Sequence, residues 1–194
     1  MFNPIIIEVM LIKKMIILTV LLLSFLSYAQ EAYEIREHEI GIEGTSNLQS
    51  WSAEVGEASG RFVVRIEEGK ITEIEGAEIS IKAESLDGSE GRRMNSKIYE
   101  SLKTDQHPDI NFVLRDVLAL TENPGTARIT SRGVLTVAGV SRVVEIFTVA
   151  RVMPGGDLEF SGEYILNMTD FRIKPPTAMF GVLRTGEEVD LGFR

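Results

Sequence analysis

The residues able to do covalent or metal chemistry are few and scattered. The chain has no cysteine and two histidines, His38 and His107, far apart in sequence. That excludes a thiolate site and any recognisable His/Cys metal signature. Serine and threonine are plentiful, but none sits in a nucleophile elbow with a convincing histidine partner. Gly88-Ser89-Glu90-Gly91 has the glycines of a phosphate cradle without the Lys-Ser/Thr that completes one. The carboxylates fall mostly on the polar faces of alternating segments, where solvation accounts for them. What remains is non-covalent chemistry, in which polar side chains near turns hold a ligand by hydrogen bonds or charge. Asn167, Asp170 and Arg172, followed by Lys174 and Pro175-Pro176, form one such group. Asn47, Gln49 and Trp51, in Gly41–Trp51, form another. Turn chemistry and surface solvation are the plainer uses of each. The expectation is a binding protein with no catalytic residue, no metal and no cofactor.

The elements that would position these residues are strands. Phe62, Val64 and Ile66 alternate with Arg61 and Arg65, and Ala77, Ile79, Ile81 and Ala83 with Glu78, Ser80, Lys82 and Glu84. The same period of two runs through Ile110–Leu114, Ile129–Leu135, Val144–Val152, Leu158–Met168 and Val189–Phe193. Glu68-Gly69-Lys70, Asn123-Pro124-Gly125, Ala138-Gly139 and Pro154-Gly155-Gly156-Asp157 supply hairpin turns between the runs. This predicts an all-β, antiparallel barrel or sandwich. Gly44, Gly60, Gly133, Gly162 and Gly192 are expected to mark bulges or bends. One segment breaks the pattern. Met94, Ile98 and Leu102 recur every four residues, predicting an amphipathic helix over about Arg92–Leu102, begun by Ser89 or Glu90 and stopped before His107-Pro108. His38 is expected on one strand face with Ile40 and Ile42. The apolar rows give a candidate interior lining of Phe62, Val64, Ile79, Ile81, Phe112, Leu114, Val144, Ile146, Phe160, Tyr164 and Leu166. Such alternation suits a solid barrel core as well as a hollow one, so it leaves the cavity open.

The amino terminus reads as an export signal. Lys13-Lys14, the uncharged run Met15–Leu26 and Ser27-Tyr28-Ala29 fit a secretory peptide cleaved after Ala29. The run is shorter than the ~20 residues a spanning helix needs. Residues 1–29 are therefore expected to be a signal, residues 30–194 one domain, and the location periplasmic. A formal net charge of −9 argues against nucleic acid as a partner. Glu78, Lys82, Glu84, Glu159 and Glu163 on the outward faces argue against a lipid-facing membrane barrel.

Four landmarks in order carry a resemblance: Gly44-Thr45-Ser46-Asn47-Leu48-Gln49-Ser50-Trp51; Met94 through Leu102 with His107-Pro108-Asp109-Ile110-Asn111-Phe112; Gly133-Val134-Leu135-Thr136-Val137-Ala138-Gly139-Val140; and Met168 through Pro176. Over roughly Tyr33–Phe193 the chain resembles the YceI-like family of exported lipid-binding proteins. The resemblance implies an eight-stranded, lipocalin-like antiparallel barrel around an apolar tunnel, with one short helix. It implies a polyisoprenoid, an isoprenoid quinone or another long-chain lipid as cargo, and it leaves pairing into a homodimer open. Where many relatives carry His and Gly, this chain has Gln49 and Arg172. The rival expectation is a solid-core envelope protein with no ligand.

Overall fold

The computed structural model describes residues 31–123, 125–178 and 182–194; the expected export signal lies outside the described residues. The strands are β1 (Glu31–Glu34), β2 (Ile40–Ser46), β3 (Ser50–Val55), β4 (Ala58–Glu67), β5 (Lys70–Lys82), β6 (Leu86–Gly88), β7 (Asp109–Asn123), β8 (Thr126–Val137), β9 (Val140–Val152), β10 (Leu158–Asn167), β11 (Thr177–Ala178) and β12 (Leu183–Phe193). One helix, α1 (Arg92–Leu102), follows β6. The sheet is antiparallel and curled, in the order β1-β4-β5-β7-β8-β9-β10-β12-β2-β3-β6, with β11 added on β12.

Eleven strands thus lie along the sheet where eight were expected. The excess comes from interruption. β1 and β2 keep one register against β3 and β4, from Glu31↔Val64 to Thr45↔Ser50. β3 runs into β4 through Gly56-Glu57, and β5 into β6 through the 3-10 turn Ala83–Ser85. Gly56 N–H donates to Ser85 O (3.0 Å) and Lys82 N–H to Glu57 O (3.1 Å), carrying the ladder across both breaks. Merged in this way, the strands form eight paths in chain order. The last closes on the first, because β12 pairs with β2 from Val189↔Gly44 to Phe193↔Ile40.

Closure covers only half of the molecule. β12 ends at Phe193, opposite Gly162, so Leu158–Ser161 of β10 extend past it towards β1 with no strand between them among the described residues. On the opposite side, β5–β7 pairing runs only from Glu78↔Val113 to Lys82↔Asp109, although β5 starts at Lys70 and β7 continues to Asn123. Away from the helix the sheet therefore divides into two curled lobes, β1–β4–β5 and β7–β8–β9–β10. Register shifts at Val63/Val64 and Arg65/Ile66 in one lobe and at Leu114/Asp116 and Val117/Ala119 in the other accompany the divergence. Bulges of this kind bend a strand and add twist, which draws neighbouring edges apart.

Two separate hydrophobic cores result. The larger lies under α1 and gathers Val55, Leu86, Leu102, Val137, Leu166 and Phe171 among others. The smaller lies between the lobes and is built on Val64, Ile71, Ala127, Ile129 and Ala150. Helix α1 has the expected span and lays Ile98, Tyr99 and Leu102 on the larger core. Its start differs from expectation. Gly91 is the N-cap residue, with φ +70 and no side-chain cap, so neither Ser89 nor Glu90 caps it. It stops at Lys103, whose left-handed backbone (φ +56) ends the helix before His107-Pro108 is reached.

Candidate functional site

The eleven expected lining residues lie on the inward face and divide between the cores. Val144 and Leu166 are buried in the helix-end core, with Ile81, Phe112, Ile146 and Tyr164 packed against it. Val64 is buried in the inter-lobe core, with Phe62 and Phe160 packed against it. Ile79 and Leu114 are half-buried and belong to neither. Ser131, Gly133, Thr148 and Gly162 share that middle zone by register with these neighbours. At mid-height the inward face therefore mixes Ile79 and Leu114 with these small residues.

Three aromatic rings lie over glycines of the neighbouring strands. A Cβ placed on Gly44 would collide with the Trp51 ring, one on Gly133 with the Phe112 ring, and one on Gly162 with the Phe193 ring. Each ring rests where a neighbouring strand has no side chain, and Trp51 and Phe112 also pack on the helix-end core. These glycines are ring seats, and two of them also border the ladder irregularities expected from sequence, at Val189↔Gly44 and Leu114↔Gly133. Gly60 seats Ile35 in the same manner, while Gly192 faces open space. The signal in the sequence was a glycine paired across strands with an aromatic residue, as in Gly44↔Trp51 and Gly162↔Phe193.

Both ends are covered. At the helix end the Tyr99 hydroxyl lies 2.7 Å from Glu84 O and 3.0 Å from Leu86 O, and buried Thr104 donates Oγ1–H to Glu84 Oε1 at 3.0 Å. The His107 ring lies against Gly139 in the β8–β9 turn. At the other end Phe62 of β4 and Phe160 of β10 stack across the interior, with ring centroids 4.8 Å apart and planes inclined by 13°.

The expected head-group residues have mostly local work. Asn167 Oδ1 accepts from Thr169 N–H (2.9 Å) and Thr169 Oγ1–H (2.6 Å), capping the 3-10 turn Met168–Phe171. Asp170 and Arg172 are exposed at that turn, and Arg172 adopts φ +56. Asn47 donates Nδ2–H to Val182 O and accepts from Arg184 N–H, both at 2.8 Å, stitching the β2–β3 turn to the start of β12. Gln49 donates to Glu90 Oε1 (2.6 Å), and Trp51 Nε1–H points to Thr45 O at 3.3 Å. His38 is not on a strand face with Ile40 and Ile42. It lies in the break between β1 and β2, where the chain leaves the sheet. The inward-facing polar group that stands out is the Tyr164 hydroxyl. Burial first, and the charge of Asp170 second, raise its pKa above the ordinary tyrosine value, keeping it a proton donor.

Two concavities lie away from the helix end. One, of about 1130 Å³, lies where the β1–β2 break meets the end of β12, and is lined by inward Ile40, Val55 and Phe193 and by outward Glu54, Phe147 and Glu163. The other, of about 710 Å³, lies where β5 and β7 part, between Arg65, Glu73 and Ile74 on one side and Arg115, Val117 and Leu120 on the other. Among the described residues no helix is long and apolar enough to cross a membrane.

The family model of the YceI-like domain matches residues 33–194. Among solved structures, BcnA of Burkholderia cenocepacia aligns with a TM-score of 0.60 at 15% identity, covering 80% of this chain and 93% of that one. A polyisoprenoid binding domain from Saccharophagus degradans, implicated in plant cell wall breakdown, aligns with a TM-score of 0.61 at 11% identity, covering 85% and 96%. A YceI protein of Campylobacter jejuni aligns at 0.53 and 18% identity, covering 72% and 80%. Likeness at these identities shows a shared fold. No curated protein matches the chain.

Proposed function

The chain belongs to the YceI-like domain family, and from that membership we propose that it is an exported protein that holds a polyisoprenoid, an isoprenoid quinone or a similar long-chain lipid in its interior without transforming it. The observation that carries the reading is the wall construction. Trp51, Phe112 and Phe193 are seated on glycines of adjacent strands, and half-buried Ile79 and Leu114 lie between two separate cores. The likeness to a polyisoprenoid binding domain supports the lipid class. Burial of apolar groups supplies the affinity. At about 0.8 kcal/mol per methylene-sized group, fifteen carbons contribute roughly 12 kcal/mol gross. Association and ordering take back about 4–15 kcal/mol, so short chains bind weakly and longer ones tightly. The Tyr164 hydroxyl is the donor we assign to a head-group oxygen, with Asp170 and Arg172 at the mouth. Export would place the mature chain, starting at Gln30, in the periplasm.

Native mass spectrometry of protein purified from the cell envelope examines both parts. The expected spectrum shows a mature chain carrying an apolar adduct that organic extraction removes and added ubiquinone-2 replaces. A clean apo mass that takes up no ubiquinone-2 would favour the solid-core alternative and end the carrier reading.

A further inference from the structure

The helix covers one end of the barrel and would be the obvious lid, yet the wall opens at the other end. There the sheet parts along two opposite seams. On one side β12 stops at Phe193, leaving β10 and β1 without a strand between them among the described residues. On the other, β5–β7 pairing stops at Glu78↔Val113. Two concavities, of about 1130 and 710 Å³, sit on those two seams. Ile74, Val117 and Leu120 line the β5–β7 cleft and also pack on the inter-lobe core, so the cleft runs from solvent to the edge of that core. The charged side chains at its rim, among them Glu73, Arg115 and Asp116, are exposed and keep the two strand edges from pairing with another chain.

The ion pair that spans the β1–β10 seam is long and exposed, whereas the polar ties at the helix end are short. Arg36 of the β1–β2 break reaches Asp157 before β10 at 3.4 Å, with both side chains exposed. Inside, the Phe62–Phe160 stack joins the lobes. The helix, by contrast, is held by Tyr99, by Thr104 and by Asn95, whose Oδ1 accepts from Gly88 N–H at 2.8 Å and whose Nδ2–H donates to Asp87 at 2.8 Å.

We propose that the split end is the ligand's door: the β1–β4–β5 and β7–β10 lobes part along the two seams, the Phe62–Phe160 pair acts as the clasp, and the apolar chain enters and leaves there while the helix end stays shut. This rests on the lipid-carrier reading. The chain a barrel of this size holds need not fit end to end, because a long prenyl tail can emerge through the β5–β7 cleft.

The absence of native cysteine makes stapling clean. Three double variants carry the argument: Arg36→Cys/Asp157→Cys across one seam, Glu73→Cys/Asp116→Cys across the other, and Asp87→Cys/Asn95→Cys between helix and barrel. Each is compared before and after reaction with a bifunctional maleimide, and the exchange rate of ubiquinone-2 is read by quenching of Trp51. Stapling the seams is expected to slow exchange by about tenfold or more, as fixing a gating element does, with the helix staple leaving the rate unchanged. Slowing by the helix staple alone, or no slowing by the seam staples, overturns the door. Val117→Phe, which narrows the β5–β7 cleft without any cross-link, should also slow exchange and serves if a staple disturbs folding. If wild-type protein shows no saturable quenching at all, the carrier reading itself falls, which separates the two failures.

Discussion

Gly44→Ala and Gly41→Ala, three residues apart on β2, should move stability in opposite directions. At Gly44 the three atoms nearest a new Cβ all belong to the Trp51 indole, at distances no real Cβ tolerates. The ring must leave its seat and lose the contact of Nε1–H with Thr45 O. Overpacking of this kind costs about 1–3 kcal/mol. The stiffer unfolded chain returns about 0.4–1 kcal/mol. At roughly 2–4 °C per kcal/mol for a domain of this size, Tm should fall by up to about 10 °C. At Gly41 nothing lies within 4 Å of a new Cβ, and φ is not in the left-handed region. There only the unfolded-state term acts, and Tm should rise by up to about 4 °C. Calorimetry gives the two signs. Emission of the chain's one tryptophan gives the cause: it should shift to the red in Gly44→Ala and stay put in Gly41→Ala. Equal Tm changes in the two variants, or an unmoved emission maximum in Gly44→Ala, would refute the ring-seat argument on which the hollow wall depends.

Tyr164 and Tyr99 both titrate above the ordinary tyrosine value, chiefly because each is buried; Asp170 adds to the first, and Asp87 and Glu84 to the second. The unfolded chain loses phenol protons near pH ~10. Stability is therefore whole below that pH and falls as pH rises through the folded values. In urea melts Tyr164→Phe should lose less stability than wild type at alkaline pH, and parallel curves would exclude the effect. Arg172→Gly should raise Tm by roughly 1–4 °C, because a non-glycine residue at φ +56 carries a left-handed strain of about 1–2 kcal/mol, partly offset by the greater unfolded entropy of glycine; an unchanged Tm would show the turn relaxed by its neighbours. Asn47→Ala removes two hydrogen bonds worth about 0.5–1.5 kcal/mol each. Amide exchange at Arg184 should quicken in that variant, and unchanged protection there would mean that the stitch is redundant.

Strand class, helix span and hairpin positions were legible because each depends on local patterning. Period-two rows gave the inward faces, and Ala138-Gly139 and Glu68-Gly69 turn with positive φ at both residues, as two-residue hairpins require. Three features were not legible, for three physical reasons. The breaks at residues 35–39, 56–57 and 83–85 are set by how eight paths share one curled surface, which no local window contains. The glycine seats depend on cross-strand register, since Gly133 matters only because β7 brings Phe112 beside it. The partners of the polar residues near turns depend on which turns lie beside them. Asn47 and Asn167 have the chemistry to hold a head group, but backbone N–H and C=O groups of neighbouring turns claim them. Tyr164 looked apolar by its place in the row and is an inward group with a proton to donate.

The two cores explain why the door can work at one end only. Among the described residues the helix-end core buries thirteen residues and the inter-lobe core five, two of them alanines. Exposing Val64, Ile71 and Ile129 in full would cost about 5–9 kcal/mol, at roughly 1.5–3 kcal/mol per side chain. Complete separation of the lobes is thus too rare to serve exchange. Parting the Phe62–Phe160 stack costs only about 0.5–1.5 kcal/mol beyond area burial, because the rings are half-buried already. An entering prenyl chain presents apolar groups to the two rings as they separate, so each step of opening is offset by contact with the ligand. The motion that admits the chain is therefore a local slide of two rings and a widening of the seams, with Val64, Ile71 and Ile129 left as the hinge.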